Sequence, residues 1–294
     1  MKALILHSDD LGASRPINRG IFAALESGRL SSASIMVNMP ASLEAIQEAR
    51  NFKSPDSFGL HLNLTEGFPL SPRNEIPDLV DFRGRFLGPL GLMALLSTKR
   101  GSLALRRQWR TEMERQFAYI IEKDLPVSHL NGHHYIETFP QLTEDILGMC
   151  TRFGIRAIRT ALDPTPPLTF ARYAQIVKLP WAVLINRQAK ELAALADEKA
   201  FVHPRLSLGV GMAGKLRPKL IRYWQKTFLA NTDEAIEIIF HIKKERTDTH
   251  VLLAKTKRKS EEDALDELHK IIQADAYSLC NYSDLSKLQQ ALEK

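Results

Sequence analysis

The chain has 294 residues, 44% apolar and 25% charged, the make-up of a soluble globular protein with room for one large domain or two small ones. Two cysteines, Cys150 and Cys280, lack CxxC spacing, which excludes a disulfide framework and fits a reducing, cytoplasmic setting. Forty Lys and Arg against 34 Asp and Glu give a formal net charge of +6, but the cations are dispersed and carry no nucleic-acid-binding fingerprint.

The first residues show no secretory signal, and no apolar run is long enough for a membrane span. Leu4-Ile5-Leu6-His7-Ser8-Asp9-Asp10-Leu11-Gly12 reads as a buried strand ending in two adjacent carboxylates. Side-chain alternation relaxes at a strand end, so Asp9 and Asp10 are both expected to reach a cleft at the carboxyl edge of a sheet. Neighbouring carboxylates repel each other. A divalent cation relieves that repulsion and divides the labour: one carboxylate holds the metal, the other handles protons. The purely structural alternative is that Asp10 or Ser14 caps the following helix.

Residues 15–27 read as a helix, with Ile17, Ile21, Ala24 and Leu25 at helical spacing and Gly28 as its stop. A strand over 32–39 closed by Pro40, a helix over 42–50 and a strand over 58–64 continue an alternation that predicts a parallel sheet with crossover helices. Residues 68–101 break the rhythm with Pro69, Pro72, Pro77 and Pro89, and read as a long lid or binding excursion. Its apolar stretch 90–96 reads as a short helix packed on the body, the other use being contact with a greasy substrate or membrane surface.

Further on, helices are expected over 103–123, 141–153, 170–200 with a break at Pro180, 216–229 and 264–274. Strands are expected over 127–130, 156–159, the start of 206–214, and 237–241, which ends at His241; 251–253 is a further apolar run. Without repeats or a linker, residues 1–294 read as one domain.

Three of nine histidines, His129, His133 and His134, fall within six residues around Asn131-Gly132. Imidazole is the commonest neutral nitrogen ligand for zinc, iron and nickel. The Asn-Gly pair signals a turn, so only part of this cluster is expected to face one centre. His61 is a polar residue in the nearly apolar run Gly59-Leu60-His61-Leu62, either a satisfied core histidine or a ligand. Asp10, His61 and one histidine of the cluster would supply one carboxylate and two imidazoles with open positions, the pattern of a catalytic metal.

Asp9-Asp10-Leu11-Gly12 with Asn18-Arg19-Gly20-Ile21 resembles the opening of the YdjC-like (ChbG/HpnK) carbohydrate deacetylase family. So do Gly59-Leu60-His61-Leu62 with Thr65-Glu66-Gly67, His129-Leu130-Asn131-Gly132-His133-His134 leading to Phe139-Pro140, and Gly154-Ile155-Arg156-Ala157-Ile158-Arg159. The resemblance covers residues 1–160 in order and thins beyond. It implies a single-domain α/β fold, a distorted (β/α) barrel with its site at the carboxyl ends of the strands. It also implies hydrolysis of an N-acetyl group on an amino sugar with one divalent metal ion, Mg or Zn.

By this resemblance Asp10, His61 and His133 are the metal ligands, Asp9 the general base and His241 the later catalytic histidine. Arg159, Asn131, His129 and His134 are expected to bind substrate, Arg159 also being placed to orient Asp9. The chain departs from the family pattern at Asn131, Tyr135, Glu137 and Ile242. The expected partners are an acetylated oligosaccharide, sugar phosphate or glycolipid, with no nucleic acid, no transmembrane anchor, a peripheral membrane contact and a homodimer as open options. The rival readings are another metal-dependent hydrolase, such as a phosphoesterase, and a non-catalytic sugar- or lipid-binding relative.

Overall fold

A computed structural model describes residues 2–173, 179–242, 259–275 and 277–292. Its centre is one parallel sheet of β1 (Ala3–Leu11), β2 (Ser32–Ile35), β3 (Phe58–Leu62), β4 (Leu130–Gly132), β5 (Leu206–Leu208), β6 (Ile236–Phe240) and β7 (Ser278–Leu279). The order is β4-β3-β2-β1-β6-β5, with β7 beside β1. On one edge β1 pairs with β6 over residues 4–8. On the other it pairs first with β7 at residues 3–4 and then with β2 from His7 onward. The segment 156–162 carries hydrogen bonding from β4 towards β5: Leu130 bridges Ile158, Ala157 bridges Val202, and Ser207 N–H donates to the Leu162 carbonyl at 2.9 Å. The result is a curled, distorted barrel.

Among the described residues the helices are α1 (Arg15–Glu26), α2 (Ser42–Arg50), α3 (Gly88–Thr98), α4 (Leu103–Ile121), α5 (Pro140–Arg152), α6 (Pro167–Tyr173), α7 (Leu179–Glu198), α8 (Pro218–Thr227), α9 (Lys259–Asp275) and α10 (Tyr282–Leu292). The amphipathic spacing in α1 places Ile17, Ile21, Phe22 and Leu25 in the core. Ser14 is its N-cap residue but makes no side-chain cap bond, so the capping alternative for this stretch finds no support.

The strands separate two kinds of side chain. Leu4, Leu6, Ala33, Ile35, Leu60, Leu62, Leu130, Ile236 and Ile238 all belong to the main apolar core. Alternate positions carry His7, Asp9, Ser32, Ser34, His61, Asn131 and Glu237, all buried. The barrel interior is therefore largely polar, unlike the doubly apolar burial that the opening run suggests. A small apolar cluster of Ile5, Ala157, Val202, Tyr282 and Leu285 forms a floor beneath it.

Several expected strands differ in extent. The one expected over 32–39 stops at Ile35, because the chain turns at Met36–Met39 before Pro40. The one over 127–130 is shifted to Leu130–Gly132, although Ser128 already donates to the Phe58 carbonyl. Residues 156–159 contribute isolated bridges only. The apolar run 251–253 lies outside the described residues.

Candidate metal and catalytic centre at the carboxyl edge

Adjacent residues of a regular strand face opposite sides. Asp9 shares the interior face with Ile5 and His7, so regular pleating would send Asp10 outward. A bulge prevents this. Residues 8 to 11 of β1 lie opposite residues 33 to 35 of β2, one extra residue on β1, and Asp10 takes a left-handed backbone with φ 69°. Both carboxylates then reach the same buried cluster of histidines.

Asp10 meets two histidines there. Its Oδ1 lies 3.7 Å from His61 Nε2 and 3.4 Å from His133 Nδ1, and these two nitrogens are 3.2 Å apart. With bonds of about 2.0–2.1 Å, a tetrahedral cation spaces its ligand atoms about 3.3 Å apart. One carboxylate oxygen and two imidazole nitrogens at this spacing suit a zinc-type or harder divalent cation. His61 comes from β3, in register with Asn131 of β4. His133 follows β4 in a 3-10 turn in which His134 and Tyr135 hold φ of 57° and 61°. Two consecutive left-handed non-glycine residues cost energy and mark a site held by its surroundings. Tyr135 Oη accepts from Gly211 N–H at 2.9 Å, which ties this turn to the glycine loop after β5.

Asp9 is held apart from that trio. Arg159 Nη1 donates to both its oxygens at 2.9 Å, and Asn131 Nδ2 donates to Oδ1 at 2.9 Å. His7 Nε2 lies 3.2 Å from the same Oδ1. Burial alone would raise the Asp9 carboxyl, but the charge of Arg159 overrides it and holds the group well below the usual carboxylate range. Arg159 is itself buried, and its other face binds Glu237, with Nη2 at 2.7 Å and Nε at 2.8 Å from the two carboxylate oxygens. His241 follows β6, with Nε2 3.9 Å from Asp9 Oδ2. Its backbone N–H donates to Glu261 of α9, and its Nδ1 lies 3.9 Å from the same carboxylate.

The histidines divide by environment. Burial lowers His61 to about 4, the nearby carboxylates offsetting only part of that. Burial works the same way on His133, but the hydrogen bonds its ring donates to the Asp10 and Glu66 carboxylates outweigh it and push this ring up to about 9. Burial also lowers His7, and lowers His129 well below its ordinary value.

The structure brings together Asp9, Asp10, His61, His133 and His241, with Arg159 and Asn131 attached to Asp9. Three of the residues expected to contact substrate are fully buried. His129 is fully buried, stacked on Tyr282 at 3.9 Å between ring centroids, and bonded through Nδ1 to Ser128 Oγ at 2.8 Å, so it is a core residue. A Cβ added to Gly59 would lie 2.5 Å from its ring, which explains a glycine there. Arg159 and Asn131 are equally inaccessible and spend their donors on Asp9 and Glu237 rather than on a ligand. His134 remains half-buried at the edge, its Nδ1 2.9 Å from Thr65 Oγ1.

Glu66, Glu237, His7 and Glu261 enter the site without having been anticipated in any role. Glu237 carried a signal, a charge inside Ile-Glu-Ile-Ile-Phe, and so did His7 beside Asp9. Glu261 carried none, because its contact with His241 joins residues 20 apart through the fold.

The family described as YdjC-like protein matches residues 3–274. A carbohydrate deacetylase of Thermoanaerobacter pseudethanolicus is 32% identical over 169 residues, 55% of this chain and 62% of that protein. A carbohydrate deacetylase of Danio rerio is 25% identical over 213 residues, 72% of this chain and 66% of that protein. The chain spans about 60% of the length of the curated relatives it matches. A solved structure from Enterococcus faecalis V583, described as a candidate cellobiose-phosphate cleavage protein, shares the fold with a TM-score of 0.71. That match covers 97% of this chain and 98% of the other at 19% identity.

Proposed function

Because the chain belongs to the YdjC-like family, we propose that it is a metal-dependent hydrolase that removes an N-acetyl group from an amino sugar. The observation that carries this reading is a division between neighbours. Asp10 faces two imidazole nitrogens, while Asp9 beside it is gripped by Arg159 and kept ionised. A binding protein has no use for a spare ionised carboxylate next to a ligand set, whereas amide hydrolysis needs one as proton acceptor.

Asp10 Oδ1, His61 Nε2 and His133 Nδ1 would hold one divalent cation, Mg or Zn. When bound it supplies positive charge that polarises a carbonyl and makes water more acidic. Asp9 takes the proton from the attacking water through Oδ2, the oxygen that Asn131 leaves free. Arg159 fixes the plane of that carboxylate and keeps it ionised until the proton arrives. His241 Nε2, 3.9 Å from Asp9 Oδ2, gives a proton to the departing amine nitrogen. Glu237 balances the buried charge of Arg159, so its guanidinium is shared between two carboxylates. The half-buried His134 is the side chain of this group placed to touch substrate.

The test is acetate release from a panel of N-acetylglucosamine oligomers, N-acetylglucosamine phosphates and acetylated glycolipids, with zinc or magnesium added. Release that depends on Asp9 supports the reading. Phosphate release from phosphomonoesters without acetate release overturns it in favour of a phosphoesterase on the same ligands. Saturable sugar binding without turnover overturns it in favour of a binding protein.

A further inference from the structure

We propose that Glu66 is a positioning residue of the cation site, the carboxylate that fixes which nitrogen of His133 faces the ion. The inference rests on Asp10, His61 and His133 being the ligands. An imidazole that ligates through one nitrogen carries a proton on the other, and that proton needs an acceptor. His133 Nδ1 faces Asp10 and His61, while its Nε2 lies 3.0 Å from Glu66 Oε2. His61 differs: its second nitrogen, Nδ1, is buried without a hydrogen-bond partner. Of the two histidines, His133 is the one whose orientation is locked from behind.

Glu66 is itself held by a buried polar chain that starts on α4. Glu112 Oε1 accepts from Gln116 Nε2 at 2.7 Å, and the Glu112 carboxylate also takes the N–H groups of Leu70 and Ser71 at 3.0 and 2.8 Å. Gln116 clamps the backbone of Asn63, accepting from its N–H at 3.0 Å and donating to its carbonyl at 2.6 Å. The Asn63 side chain then accepts from Glu66 N–H at 3.0 Å and donates to the Glu66 carbonyl at 2.7 Å. A buried polar network is stable only when its members are satisfied. This one is, and it ends by presenting one carboxylate to one ring nitrogen. Glu66, His133 and His134 also have ligand atoms within 4.8 Å of one another, so Glu66 as ligand of a second ion is the competing geometry.

The experiment titrates zinc chloride into the full chain and its E66L, E66Q and H61A variants by calorimetry. A second readout follows the ring nitrogens of the zinc-loaded proteins by 15N-histidine NMR. Losing an orienting carboxylate of this kind costs about 10–100-fold in metal affinity, and that loss is expected for E66L. E66Q keeps an accepting oxygen in place and is expected to lose less. A slowly exchanging proton on His133 Nε2 is expected in the wild type and E66Q. E66L binding zinc within twofold of wild type, or two zinc ions per wild-type chain with one lost in E66L, overturns the inference. Should E66L fail to fold, E66Q decides alone: wild-type affinity with no proton on His133 Nε2 overturns it. Loss of zinc in H61A but not in the Glu66 variants overturns it while the cation site stands. A wild-type chain that takes up no zinc overturns both readings.

Discussion

Arg159 Nη1 stands 2.9 Å from each carboxylate oxygen of Asp9, a contact buried in the barrel between residues 150 positions apart. Because Glu237 occupies the other side of the guanidinium, removing it strands two carboxylates at once. Breaking a buried ion pair from one side costs about 3–5 kcal/mol. Arg159→Leu is expected to lose at least that in urea unfolding. Arg159→Leu paired with Glu237→Leu is expected to recover part of it, since one orphaned charge is then gone. Equal stability of the single variant and the wild type would show that the triad contributes nothing.

The neighbouring carboxylates are expected to fail differently. Asp9→Asn keeps the shape and the contact to Asn131 but cannot take a proton. Its turnover is expected to fall by about 10²–10⁴-fold with zinc affinity within a few-fold of wild type. Asp10→Asn is expected to lose metal first and activity with it. Calorimetry and acetate release on the two variants separate the roles, and matching losses of zinc in both would erase the distinction.

Metal removal has a readout that needs no substrate. A ligand that binds only the folded chain stabilises it by about 2.7 kcal/mol at a concentration 100 times its Kd. EDTA is therefore expected to lower Tm, zinc to restore it, and His61→Ala to be insensitive to both. A zinc-dependent Tm that persists in His61→Ala would place the ion elsewhere.

Glu137 gives a pH dependence with a definite sign. Both its oxygens are buried without a hydrogen bond of good geometry. Burial pushes the carboxyl up to about 8 from an ordinary 4.5, Arg159 and nearby backbone N–H groups offsetting only part of this. The folded chain holds a proton that the unfolded chain releases. The stability this contributes is complete below pH 4.5 and is lost as pH rises through 8. Glu137→Gln stays neutral throughout. Its Tm relative to wild type is expected to climb by several degrees between pH 5.5 and 9, and a constant difference would show that Glu137 is ionised in the fold.

Gly59 tests the placement of His129. A Cβ there meets three atoms of the imidazole at 2.5–2.7 Å, and the stacked Tyr282 ring leaves the histidine little room to move. Overpacking of this kind costs about 1–3 kcal/mol, so Gly59→Ala is expected to lower stability by that amount while leaving zinc binding intact. Unchanged stability would mean that the His129 ring lies elsewhere.

The parts of this molecule readable in the sequence were those that local pattern decides. The helix over 15–26, the helix over 42–50 and the strand before His241 follow from apolar period and from Gly and Pro stops. That Asp9 and Asp10 could turn to the same side was also readable. Its cause was not, because the extra residue in β1 exists only relative to β2. The same limit explains His129. Its position among the histidines suggested a substrate contact, but strand pairing at Leu60 and the ring of Tyr282 from a distant part of the sequence decide which way it faces. Glu261 and Glu66 escaped for a related reason: each acts on a histidine through a fold that brings distant segments together, and neither spacing nor composition records that.

The position of β1 also bears on how the chain reaches its shape. β1 precedes the other strands of this sheet in chain order yet sits in its middle, and two of its three neighbours are residues 236–240 and 278–279. During synthesis, Asp9 and Asp10 therefore stay on a half-paired ribbon, one edge open to other chains, until more than two hundred further residues have been made. Contacts of such long range form slowly and late. The carboxyl edge that holds Asp9 and Asp10 is consequently among the last parts of the barrel to close, and any partial chain that halts before residue 236 presents it unfinished to chaperones and proteases.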